Sequence, residues 1–88
     1  MRIELDGRCM TDRAAMHAYL QEMLALPAYY GKNLDALYDL LTEDKTEKTI
    51  VLLNTAVLEQ QLGGYALAMI ETLHQAAEAN KALKIEVE

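Results

Sequence analysis

The apolar positions change period along the chain, and the changes divide it into elements. Residues 2–6 alternate, with Ile3 and Leu5 on one side and charged residues on the other. That period of two predicts a short, half-buried strand, which Asp6-Gly7 ends as a turn. Thr11 or Asp12 can cap the next element. Met16, Leu20, Met23 and Leu24 then recur at helical spacing. A helix is predicted over about 12–25, ending ahead of Pro27, which lacks an N–H and restricts the residue before it. Residues 26–32 predict a loop. Asn33 is a good cap for a second helix over about 34–42, with Leu34, Leu37 and Leu41 as its inner stripe. Residues 43–48 form a charged loop.

Thr49 to Leu53 is an unbroken, β-rich apolar run. Such a run suits a strand covered on both faces, at the centre of a parallel sheet. Asn54 or Thr55 can cap a short helix through about 61, and Gly63-Gly64 breaks the chain. Ala66, Met69, Ile70, Leu73 and Ala77 mark a longer helix over about 65–80. Leu83, Ile85 and Val87 alternate with Lys84, Glu86 and Glu88, as in an edge strand. The predicted order is β-α-α-β-α-α-β. Strands separated by helices imply an α/β fold, a three-stranded parallel sheet packed against helices with right-handed crossovers.

The 88 residues suffice for one domain. A composition of 52% apolar and 25% charged residues is that of a folded chain rather than a disordered one. The net charge of −6 changes the functional picture. Nucleic acid is held largely by Lys and Arg on phosphates, so direct binding is disfavoured, and a cationic partner is favoured because opposite charges speed encounter. The single cysteine, Cys9, allows no internal disulfide and suits a reducing compartment. Arg8 beside it is too little to mark a reactive thiol, and Cys9 reads as a small structural residue. The first six residues carry charges where a signal peptide needs an apolar stretch. The aliphatic run Ile50–Leu53 is far too short to span a bilayer. A cytoplasmic location is expected.

Candidate chemistry is sparse. His17, His74 and Cys9 lack zinc-ligand spacing, and His17, beside the apolar stripe of the first helix, reads as hydrogen-bonded packing. Nucleophile, phosphate-loop and dinucleotide motifs are absent, so neither a metal nor a cofactor is expected. The informative segment is 26–44. Asp35 and Asp39 fall at i and i+4 on one helix face, a like-charge spacing that opposes the helix by about 0.2–0.5 kcal/mol. Asp35 is offset by the positive helix N-terminus, whereas Asp39 lies too deep for much of that benefit. Tyr29 and Tyr30 precede this helix and Tyr38 adjoins Asp39. Two carboxylates, three tyrosines and Thr42 are thus expected to converge on one outward surface. Paired acids could serve acid–base chemistry, or hold a divalent cation through Asp35, Asp39 and Glu43. They could also form a solvated face, or the tyrosine-rich centre of a protein interface. A pocket of enzyme type has little room on a short helix.

The run Leu24–Thr42, Leu-Ala-Leu-Pro-Ala-Tyr-Tyr-Gly-Lys-Asn-Leu-Asp-Ala-Leu-Tyr-Asp-Leu-Leu-Thr, closely resembles the signature of the barstar family. In that family Leu-Pro-x-Tyr-Tyr-Gly-x-Asn-Leu-Asp-Ala-Leu precedes an aromatic residue and Asp. The opening strand, His17, the Ile50–Leu53 strand, the long helix and the final strand resemble the family more loosely, in the same order. The resemblance implies a non-enzymatic inhibitor of a small secreted ribonuclease. It would plug the enzyme's cationic active site with the second helix and the loop before it. It further implies that Asp39 replaces the RNA phosphate against arginines and the catalytic histidine, that Asp35 meets a second basic or backbone donor, and that Tyr29 stacks against the catalytic histidine or packs at the cleft mouth. Tyr30, Asn33, Tyr38 and Thr42 would add shape and hydrogen bonds. Tyr38 replaces a tryptophan of the family's best-known member, and Glu43-Asp44 replaces Gly-Trp, exchanging an aromatic contact for two more negative charges on the rim. The acids that member carries near Gln75 and Ala79 are missing, leaving Glu78. These changes keep the central anchor, alter the rim that includes Glu43, and lead to the expectation of a different or more basic partner rim. A basic protein other than a ribonuclease is the alternative partner.

Overall fold

The computed structural model describes residues 1–88. Its elements run β1 (Arg2–Asp6), a 3-10 turn (Gly7–Cys9), α1 (Arg13–Met23), α2 (Leu34–Glu43), β2 (Lys48–Leu53), α3 (Thr55–Leu62), α4 (Gly64–Ala79) and β3 (Leu83–Val87). The order β-α-α-β-α-α-β expected from periodicity is the one observed. The three strands form one parallel sheet in the order β1-β2-β3, so the continuous apolar run is its central strand. No helix is long and apolar enough to cross a membrane.

One face of the sheet presents Leu5, Ile50, Leu52 and Leu83 to the helices, which add Met16, Leu20, Leu37, Leu41, Leu58, Met69 and Leu73 to the core. The opposite face is the reason β2 has no polar alternation. Val51 is fully buried there, in register between Glu4 and Glu86. Arg2 contacts Glu4 at 3.6 Å and crosses the central strand to Glu86 at 3.7 Å. Long charged side chains can cover apolar surface with their stems while their heads stay wet. They take the place of a second helical layer here.

Helix ends follow local chemistry. Asp12 caps α1 by accepting from the Ala15 N–H at 2.7 Å. The helix stops two residues short of the predicted 25 because the chain turns into the left-handed region at Ala25, φ +52. Leu26 N–H donates to Gln21 C=O at 2.9 Å and Ala25 N–H to Glu22 C=O at 3.3 Å. This is a Schellman closure with alanine where glycine is usual. Pro27 therefore follows the helix end rather than causing it. Met23, expected on the inner stripe, is 39% exposed, as it lies in this last turn. Gly63, at φ +57, separates α3 from α4. Gly7 is required for a different reason, since a Cβ there would stand 2.6 Å from the Asn54 carbonyl oxygen.

Candidate partner-binding surface

The segment 27–44 is fixed at several points before it offers anything to a partner. Asn33 caps α2 by accepting from the Ala36 N–H at 2.8 Å, and its amide donates to the Gly31 carbonyl at 3.2 Å. In the preceding loop Gln21 of α1 donates to the Pro27 carbonyl at 3.0 Å. At the other end of α2, Lys45 Nζ donates to the Thr42 carbonyl at 2.9 Å. The buried Asn80, beyond α4, donates to the carbonyls of Leu41 at 2.9 Å and Asp44 at 2.6 Å. Carbonyls in the last turn of a helix have no partner within it, and Lys45 and Asn80 serve three of those at this end. Leu37 and Leu41 bury the inner stripe as expected, while Leu34 is half-buried.

The outer face then presents Asp35, Asp39 and Glu43, all exposed, about 6 Å apart along the axis per four residues. The chain's ion pairs join Arg2 to Glu4 and Glu86, Arg8 to Asp6, and Lys48 to Asp44. None includes any of these three carboxylates. No group of three His, Cys, Asp or Glu side chains is close enough to hold a metal ion. Asp39 lies at the lip of a shallow depression of about 320 Å³ lined by Tyr29, Tyr30, Gly31, Ala36, Asp39, Leu40 and Glu43. Tyr29 is 79% exposed, an unusual setting for a large ring with nothing to cover it. Asp35, Tyr38 and Thr42 do not line the depression. Helical geometry places them on the other flank of the exposed arc, with Tyr38 half-buried against the core. The Thr42 hydroxyl donates to the Asp39 carbonyl at 3.0 Å.

Two expectations need correction. Tyr30 does not stand on the outward surface. It is 4% exposed, because its hydroxyl reaches inward to His17 Nδ1 at 2.6 Å. It reaches the depression only as part of its wall. Asp44 does not add a free negative charge to the rim. Its carboxylate accepts from Lys48 Nζ at 2.6 Å and from the Thr46 N–H at 2.9 Å. The lysine hydrogen bond, ahead of the Thr46 backbone bond, holds its pKa down at about 2. Lys48, with its side chain only 8% exposed, begins β2 with the same parity as Ile50 and Leu52. It faces inward and needs that carboxylate.

His17 behaves as packing, as expected. It is 3% exposed, and its Nε2 meets the Tyr65 hydroxyl at 2.7 Å. Burial, with Lys32 adding to it, pushes its pKa below the ordinary value. The sequence singled out neither Tyr65, Asn80 nor Lys48. Only Lys48 left a local signal, its position in the inward-facing register of a strand.

Comparison with known proteins places the chain in a family. The family model described as Barstar (barnase inhibitor) matches residues 1–88. The chain is also 38% identical over 81 residues to a Bacillus subtilis (strain 168) protein named "Putative ribonuclease inhibitor YrdF", covering 91% of this chain and 89% of that protein. The match spans the strands, the helices and the acidic segment together, and the chain belongs to the barstar family.

Proposed function

We propose that this protein inhibits a small ribonuclease of the barnase type by placing the outer face of α2 and the loop 27–33 in the enzyme's active-site cleft. The carrying observation is the row Asp35, Asp39 and Glu43, exposed and without a cation. A site that binds RNA phosphate is cationic, and a carboxylate offers arginine the same two-oxygen geometry as a phosphate. Asp39, central on the arc and at the lip of the depression, is the phosphate mimic. Asp35 meets a second basic or backbone donor on its flank. Tyr29 covers the mouth of the cleft, and the depression behind it accepts a flat ring such as the catalytic imidazole. Tyr30 shapes that depression from within. Asn33 holds the helix start, while Tyr38 and Thr42 complete the other flank. Glu43 faces the enzyme's rim, which should carry a base opposite it. In this reading the protein turns over no substrate and protects the cell that makes it.

Titration calorimetry against a panel of small bacterial ribonucleases, with Asp39→Ala alongside, tests the reading. Tight one-to-one binding that the variant loses supports the plug. Equal affinity of the variant overturns it. No binding to any of the enzymes would turn the same acidic face toward another basic protein.

A further inference from the structure

The loop that walls the depression is irregular, and Lys32 within it takes the left-handed backbone, φ +55. A row of three polar side chains links it to two helices. The Tyr30 hydroxyl meets His17 Nδ1 at 2.6 Å, and His17 Nε2 meets the Tyr65 hydroxyl at 2.7 Å. The row joins the loop to α1 and α1 to the first turn of α4. A neutral imidazole has one N–H and one bare nitrogen. One tyrosine must therefore donate to the ring and the other accept from it. Burial lowers the His17 pKa and, with Tyr65 adding to it, pushes that of Tyr30 up to about 12. The Arg13 guanidinium lies 4.1 Å from the centroid of the Tyr65 ring and steadies it from α1.

Removing the Tyr65 hydroxyl leaves one buried ring nitrogen of His17 without a partner, whichever tautomer is present. Such a nitrogen is costly to leave unsatisfied. A change of tautomer only exchanges an unpaired N–H for an unpaired lone pair, so the ring relieves it by turning, which alters its bond to Tyr30. We propose that Tyr65 is a positioning residue for the binding loop, holding Tyr30, and so the wall of the depression, through His17. Its use in binding rests on the inhibitor reading above, but its effect on the loop does not.

Tyr65→Phe keeps the ring beneath Arg13 and removes only the hydroxyl. Amide hydrogen exchange should show the Tyr30 N–H, bonded to the Pro27 carbonyl at 3.0 Å, exchanging about tenfold faster, the scale of one lost hydrogen bond. Ile50 and Leu52 in β2 should keep their protection. The ¹⁵N shifts of the His17 ring should report a changed tautomer balance. Unchanged exchange at Tyr30, or acceleration spread evenly through the chain, overturns the proposal. Against a barnase-type ribonuclease, Tyr65→Phe should also speed dissociation, and this effect should vanish in a Tyr30→Phe background. Persistence of the full effect there overturns action through the row. If the wild-type protein binds no ribonuclease, the inhibitor reading falls and the exchange experiment alone decides the role of Tyr65.

Discussion

On the open face of the sheet, Arg2 reaches Glu4 on its own strand and Glu86 two strands away. At the strand ends, Arg8 holds Asp6 in a bidentate pair and Lys48 holds Asp44. On the outer face of α2, Asp35, Asp39 and Glu43 have no cation at all. Both regions are acidic, yet only one neutralises its acids. The pairings on the sheet serve the fold: they cover Val51 and give the inward-facing Lys48 a counter-charge. In the α2 row only Asp35, in the first turn, suits the helix N-terminus. Asp39 repels its neighbours at i±4, and Glu43 stands in the last turn, where the helix dipole is unfavourable to an acid. Charge kept at a cost to stability, on a helix tied down at both ends, is what the proposed inhibitor role requires.

The sharpest way to break this contrast is at its centre. Asp39→Ala should weaken binding to a target ribonuclease by more than about 2 kcal/mol, the scale of interface hot spots for which the barnase–barstar pair is itself a reference case. Its urea midpoint should stay the same or rise. A fall in stability matching the loss of affinity would make Asp39 a structural residue. Asn80→Ala attacks the scaffold instead. It strips carbonyls at the end of α2 of a buried donor and should cost about 1–3 kcal/mol of stability by urea unfolding. An unchanged midpoint would show that Asn80 does not anchor α2.

Acid titration probes the paired region. The folded-state pKa of Asp44 is lowered from 3.8 to about 2, so the folded state binds its proton less readily than the unfolded chain does. Its contribution is complete above about pH 4 and disappears as pH falls through about 2. Lys48→Met should flatten stability in that window. The smallest effects test surface charge directly. Arg2→Ala should cost less than about 1 kcal/mol, as exposed pairs do, and leave association unchanged. Glu43→Gln should gain about 0.2–0.5 kcal/mol of stability by relieving an i,i+4 repulsion. It should also slow association at low salt, where steering is strongest. A Glu43→Gln protein that is less stable and associates as fast would erase the distinction between the two faces.

Much of the architecture was legible in the sequence because it is written in local periodicity. The alternation at Ile3 and Leu5, the unbroken run at Ile50–Leu53, the Asn33 cap and the Gly63 break each act within a few residues. Together they place every strand and helix to within a few positions. The exception at Ala25 is instructive, for nothing local marks an alanine that must take a left-handed conformation. The acidic row was legible for the same reason as the helix, since i and i+4 share a face whatever surrounds them. What escaped was long-range pairing. Tyr65 and His17 are 48 residues apart, and Asn80 caps a helix 36 and 39 residues away.

The sequence by itself determined the element order, the central strand, and an α2 with a leucine stripe inside and carboxylates outside. Backbone preference and side-chain period act over a turn or two, and short sequence windows contain them. Only the tertiary structure decided which polar groups are available to a partner. It turned Tyr30 inward to a histidine, gave Asp44 to Lys48, and left Asp39 unpaired beside an exposed Tyr29. Whether a charge is exposed or neutralised depends on which distant segment folds against it, and no local pattern carries that information.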